Sequence, residues 1–200
     1  MKIMLLAIAV LLTPMADQTL SRAERDHAVA ELESSRLAFL DATSALSEAQ
    51  WNFKPAPDRW SIAECAEHIG VTEAFVLKLI TEQALKGPAE PEKRTEVQGK
   101  DSSIMVAAAD RSVKFKAPEV IQPTRRWTTS GEITKNVLEN RARTIEFINT
   151  TQEDLRDHFM DHPVFKTLDT YQWILLTSAH MRRHTAQILE VKADPNFPKR

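Results

Sequence analysis

A single cysteine, Cys65, excludes an internal disulfide and every zinc motif built on paired thiolates. Glycine occurs four times and tyrosine once, too little turn and strand material for an ordinary sheet protein. Neither charge dominates: 26 Lys and Arg stand against 28 Asp and Glu, a formal net charge of -2. Holding a phosphate backbone takes a surplus of cations on one face, so the charge balance argues against a nucleic-acid partner. What remains is a chain rich in Ala, Leu and Glu, the residues that helices favour, and long enough for one domain with a targeting segment.

The one long apolar run lies at the start. Lys2 is followed by Ile3 to Leu12 without a charge, and then by Thr13, Pro14, Met15 and Ala16. A positive start, an apolar stretch and a short segment ending on a small residue form a secretory signal. The run is too short for an ordinary membrane span. Residues 1–16 are therefore expected to be a signal peptide and 17–200 the mature domain, exported to the periplasm or the exterior. Pro14 is unfavourable beside a cut after Ala16, and an uncleaved segment would act as a membrane anchor instead.

Beyond that run the periodicity is helical. From Thr19 to about Leu46, the positions Val29, Leu32, Arg36, Phe39, Thr43 and Leu46 recur in steps of three and four, with Arg36 interrupting the apolar stripe. Trp51 to Trp60, holding Pro55 and Pro57, reads as a loop anchored by its tryptophans. Ser61 and Glu64 form a capping box that opens a second helix, which runs to about Lys86 before Gly87 and Pro88. Cys65, His68, Thr72, Phe75 and Leu79 lie along one face of it. Residues 88–127 carry four prolines and many charges; a helix across Ser102 to Val113 is expected inside this long connection, which serves as a crossover or a lid. Thr129 and Glu132 open a third long helix, about Ser130 to Asn149. Thr150 to Phe165 is expected to be a turn with a helical piece, and the fourth long helix spans about Leu168 to Lys192. The fold expected is all-α, a four-helix bundle with a long crossover between the second and third long helices.

Three histidines fall on the buried faces of those helices. His180 and His184 are one turn apart, about 40° around the axis, so both rings project to the same side. Such a pair alone is more often packed than metal-bound. His68 sits on the apolar face of a different long helix, and facing helices in a bundle approach to about 8–10 Å, within reach of converging imidazoles. Burying three rings without a shared partner costs desolvation for each, and one divalent cation satisfies all three. His158 and His162 are also four apart, beside Asp157 and Asp161, but Pro163 and the shortness of the segment deny them a shared helical face. His27 reads as a polar residue of the first helix, and Cys65 as a small buried side chain.

The segments Trp60-Ser61-Ile62-Ala63-Glu64 and Glu67-His68-Ile69-Gly70 resemble the second-helix signature of the DinB/YfiT-like proteins. Tyr171-Gln172-Trp173, His180-Met181-Arg182-Arg183-His184 and Gln187-Ile188 are similar to that family's last helix. Asp110-Arg111, the proline-rich stretch to Trp127 and Arg141 to Phe147 fit the intervening pattern, so the resemblance covers roughly Leu20 to Lys192. It implies a four-helix bundle, often dimeric, carrying a divalent metal on three histidines, by position His68, His180 and His184.

Three nitrogen ligands suit zinc, nickel, iron or copper and leave a coordination position free for chemistry. The resemblance implies a metal-dependent hydrolase of a small-molecule substrate or a thiol S-transferase, because some relatives conjugate bacillithiol or mycothiol. Those thiols are cytosolic, so export argues against transfer. The alternatives are a stress-related bundle that binds metal without turnover, and a bundle whose histidines merely pack. Glu64 is expected to cap its helix, and Glu67 points about 100° away from His68, so neither is assigned as a base. Arg182 and Arg183 read as solvated charges, suited at most to orienting an anionic substrate.

Overall fold

The computed structural model describes residues 19–199; the expected signal peptide lies outside them. Four long helices carry the fold: α1 (Arg22–Thr43), α3 (Ile62–Glu82), α6 (Ser130–Thr150) and α7 (Thr170–Lys192). A short α2 (Glu48–Asn52) precedes α3, and α4 (Arg94–Val97) and α5 (Asp101–Ala109) lie in the crossover. Helix α7 packs on both α1 and α3, and α6 packs on the same two, so the order around the bundle is α1, α7, α3, α6. Helix α5 packs outside, against α7. The expected four-helix bundle with a long second-to-third crossover is what forms.

Side-chain capping sets where these helices begin. The boxes Ser61/Glu64 and Thr129/Glu132 form as the spacing predicts, and Ser21/Glu24, Ser47/Gln50 and Asp169/Gln172 open α1, α2 and α7 in the same way. Each satisfies backbone N–H groups that have no partner within the helix. The expected stripe of α1 holds at Leu32, Phe39 and Thr43, with Val29 and Leu46 packed at its edges. Ala28, Leu32, Ser35, Phe39 and Ala42 point inward, and Arg36 sits beside Glu33 at the margin. The helix expected over 102–113 ends at Ala109, because the Asp110 carboxylate turns to accept from the backbone N–H and hydroxyl of Ser112.

Trp51, expected to open a loop, lies in α2, and residues 150–165 overturn a further expectation. Where a helical piece was expected within 150–165, β1 (Phe159–His162) pairs antiparallel with β2 (Lys166–Asp169), in the register Met160 opposite Leu168. Pro163 stops any helix, and Lys166 closes the turn with φ of 61°. Leu168 is buried with Met160 packed beside it, and the Met160 carbonyl accepts from the Trp173 indole at 3.2 Å. Burial of these side chains on one face favours strand over helix.

The core has two apolar ends. One gathers Ala28, Leu32, Val76, Ile80, Ile148 and Ile174; the other gathers Phe39, Ile62, Ile69, Val137, Met181 and Ile188. Between them along each helix lie buried polar residues: Ser35, Glu73, Arg141, Thr144, Thr177 and Ser178. Helices α3 and α6 approach closely at Gly70, where a Cβ would stand 2.5 Å from Asn136 Oδ1 and 3.3 Å from a Val137 methyl. Its carbonyl accepts from Asn140 Nδ2 at 3.0 Å.

Candidate metal centre

His68 projects from α3 and His180 and His184 from α7, and the three rings converge. Ring centroids are 4.8 Å apart for His68 and His180, 4.6 Å for His68 and His184, and 4.5 Å for His180 and His184. One nitrogen from each lies within 4.8 Å of the others, and His68 Nε2 is 3.0 Å from His180 Nε2. His68 is 3% exposed and His184 8%, while His180 is only partly covered. Trp60 walls the cluster, with its ring 4.9 Å from His68 and 5.9 Å from His184.

Hydrogen bonds fix which nitrogen of each anchored ring faces inward. His68 Nδ1 is 2.7 Å from the carbonyl of Ile121, which can only accept, so the ring donates there and Nε2 is left with its lone pair. His184 Nδ1 lies 2.9 Å from Gln187 Oε1, again with Nε2 free. An outer partner on the remote nitrogen is the usual companion of a metal-ligating imidazole. Burial is the first cause that keeps the rings neutral. It lowers His68 and, together with the neighbouring rings and arginines, takes His180 and His184 well below the ordinary histidine range. Neutral imidazoles are the form that binds metal.

The spacing can be tested against an ion. Metal–nitrogen bonds of about 2.0–2.1 Å place two ligand nitrogens at most about 4.2 Å apart. Three nitrogens spread around one ion sit about 3.4–3.6 Å apart, so a pair at the 4.8 Å limit would close by about 1.2–1.4 Å through movement of the rings. The donor set and its spacing fit a divalent cation.

The crossover forms the other side of the centre. Glu67, next to His68 in sequence, points away from it and grips residues 124–126. Its carboxylate accepts from the backbone N–H groups of Thr124 at 2.8 Å, Arg125 at 3.0 Å and Arg126 at 3.3 Å, and from the Arg126 guanidinium at 2.9 Å. Arg125 takes φ of 61° to bring these donors together, an anion nest occupied by the chain's own carboxylate. Glu64 caps α3 and pairs with Lys54. Adjacent residues of one helix thus hold the crossover (Glu67) and face the cluster (His68).

The remaining candidates are elsewhere. His158 donates to or accepts from nothing in the cluster; its Nδ1 lies 3.0 Å from the Ala84 carbonyl. His162 Nδ1 accepts from the backbone N–H groups of Val164 and Phe165, and its ring packs on Phe165 and Trp173. His27 is exposed on α1. Cys65 is fully buried, and that burial raises its thiol far above the ordinary range. Arg182 pairs with Glu31, and Arg183 is buried against the carbonyls of Asp110 and Val113, so neither is the solvated charge expected. The sequence placed none of Trp60, Gln187, Arg111 or the Ile121 carbonyl at the centre. Gln187, one turn past His184, was legible from spacing; a main-chain acceptor 53 residues from His68 was not.

Fold and cluster together define a helical-bundle protein with a three-imidazole centre suited to a divalent metal. The profile of the DinB superfamily matches residues 31–188, and the chain belongs to that superfamily. It is similar to the uncharacterized protein YuaE of Bacillus subtilis (strain 168), 27% identical over 158 residues that span 79% of this chain and 93% of that protein. Its fold is also similar to that of YfiT from Bacillus subtilis, described as a probable metal-dependent hydrolase with an unusual four-helix bundle topology. The TM-score is 0.55 at 14% identity, covering 87% of this chain and 89% of that one.

Proposed function

We propose that this protein is a metal-dependent hydrolase of a small-molecule substrate, its divalent ion held by His68, His180 and His184. One observation carries the reading: three imidazoles on two helices, His68 and His184 of them buried, turn toward a common point, with the lone pairs of His68 Nε2 and His184 Nε2 facing it. The metal description of YfiT agrees with it at the level of the fold. An ion there supplies Lewis acidity to the reacting group. The protein's own residues do the rest. Ile121 and Gln187 orient two rings, Trp60 keeps water from one flank, and the partly uncovered His180 leaves an approach for substrate. Both nearby carboxylates of α3, Glu64 and Glu67, are engaged by the chain itself, so proton transfer falls to the substrate or to solvent.

Metal analysis of the purified protein tests the first half. One divalent ion per chain is expected, with affinity reduced roughly a hundredfold or more in His68→Ala, His180→Ala and His184→Ala, since each removes one of few ligands. Metal content unchanged by all three substitutions would leave a bundle with merely packed histidines. Turnover of small esters and amides that disappears with a chelator and returns with the ion supports hydrolysis. Conjugation of a low-molecular-weight thiol in the same assay would indicate transfer instead, and tight binding with no turnover a metal-handling role.

A further inference from the structure

The two anchored histidines are held in different ways. The partner of His68 is a main-chain carbonyl, which has no donor to offer, so its tautomer is settled by the backbone. The partner of His184 is a side-chain amide, and an amide can turn over to present its NH2 group in place of its oxygen. Facing an NH2 donor, His184 Nδ1 would have to accept, and the ring proton would move to Nε2. That is the nitrogen turned toward the cluster, and it would no longer have a lone pair for a cation.

What prevents the turn is an arginine from the crossover. Arg111 Nη1 donates to the same Gln187 Oε1 atom at 3.2 Å. A guanidinium has no acceptor, so the atom it shares with His184 must be the amide oxygen. Arg111 is itself aimed by Glu190, one turn beyond His184's partner on α7, through two parallel bonds of 2.6 and 2.8 Å. This bidentate fork fixes the guanidinium plane as well as its position. The series Glu190, Arg111, Gln187, His184 therefore runs from the surface of α7 through the crossover and back to the cluster.

We propose that Arg111 is a positioning residue that sets the tautomer of His184 by locking the Gln187 amide oxygen toward it. The inference rests on the metal-centre reading above and deepens it: the crossover then determines whether the third nitrogen is available.

The test uses the full chain with zinc as the probe ion and a competing chelator, beside nitrogen NMR of 15N-histidine-labelled, metal-free protein at neutral pH. Arg111→Met is expected to weaken zinc binding by about tenfold or more, the usual cost of losing an outer partner. It should also shift the His184 nitrogen signals toward the Nε2–H tautomer, which a general loss of packing would not do. Gln187→Glu supplies a carboxylate that cannot become a donor, so Arg111→Met combined with Gln187→Glu should restore both the affinity and the Nδ1–H signals. If Arg111→Met does not fold, Glu190→Gln weakens the same fork and should move both readouts in the same direction by less. The proposal is overturned if the single variant keeps the wild-type tautomer, or if the glutamate fails to rescue. Wild-type protein that takes no zinc would instead defeat the metal-centre reading, while the metal-free spectra still decide the tautomer.

Discussion

Among the ionisable side chains buried in this bundle, two groups meet the cost of burial differently. In the polar layer, Glu73 of α3 and Arg141 of α6 stand 3.0 Å apart with 2% and 0% side-chain exposure, each the other's counter-ion. Burial presses both toward their neutral forms, raising Glu73 and lowering Arg141, and their mutual attraction opposes it. The pair also lacks a full set of hydrogen bonds: both Glu73 oxygens and Arg141 Nε and Nη1 have no well-aligned partner among the described residues. The histidine cluster has no counter-charge of its own, and burial presses its rings toward the neutral form. The first group is closed within the chain and stabilises one arrangement of helices. The second turns three ring nitrogens to one point without a charge to meet them, a donor set that fits a cation from outside, which is why it reads as a site and the ion pair does not.

The largest effect should come from breaking the closed group. Arg141→Met leaves the Glu73 carboxylate buried without a counter-ion and should cost about 3–5 kcal/mol in urea denaturation. Adding Glu73→Leu should recover nearly all of it, because an apolar pair of similar volume replaces an ion pair with little net loss. A single-variant cost below about 1 kcal/mol would mean that Glu73 is already protonated in the native protein, and the contrast with the histidines would vanish.

The open group should reveal itself through pH. The folded protein resists protonating His68, His180 and His184, whereas the unfolded chain protonates them near 6.5. Below that pH the unfolded state binds more protons, so the metal-free protein should lose stability as pH falls, by up to about 1.4 kcal/mol per unit for each histidine. The loss continues until the depressed native values are reached. Denaturation curves in chelator at pH 7.5 and 5.5 should show it, and His180→Asn should flatten the slope by one proton. Glu73 acts in the opposite sense, since its raised native value favours protonation of the folded state as pH falls. Equal slopes in wild type and variant would place the proton uptake elsewhere.

The smallest effect sharpens the boundary of the site. His162 is held down to about 4 by burial and is paired within its own turn, and His158 faces a carbonyl. Replacing both, by His158→Ala and His162→Asn, should leave bound metal per chain unchanged in the metal analysis.

Most of the helices and the identity of the converging residues were legible because both follow from local rules. Side-chain period placed His68, His180 and His184 on inward faces, and capping chemistry marked Ser61 and Thr129 as helix starts. What was not legible depends on contacts between distant segments. The hairpin at 159–169 exists because Met160 and Leu168 find a place beside Trp173, and nothing within the segment announces that partner. That Ser35 fills the place of Arg36 in the buried face of α1 follows from its meeting Ser178, at 3.2 Å across the bundle. Arg111 belongs to the centre only because the crossover returns over α7, a path that its composition does not dictate.

The wide separation of the cluster along the chain has a consequence for the order of events in synthesis. His68 emerges from the ribosome 112 residues before His180, and the Ile121 carbonyl that orients it lies between them. No nascent fragment that stops short of the last helix possesses more than one of the three rings. An ion held by all three rings would therefore load late, on chains already folded to the end.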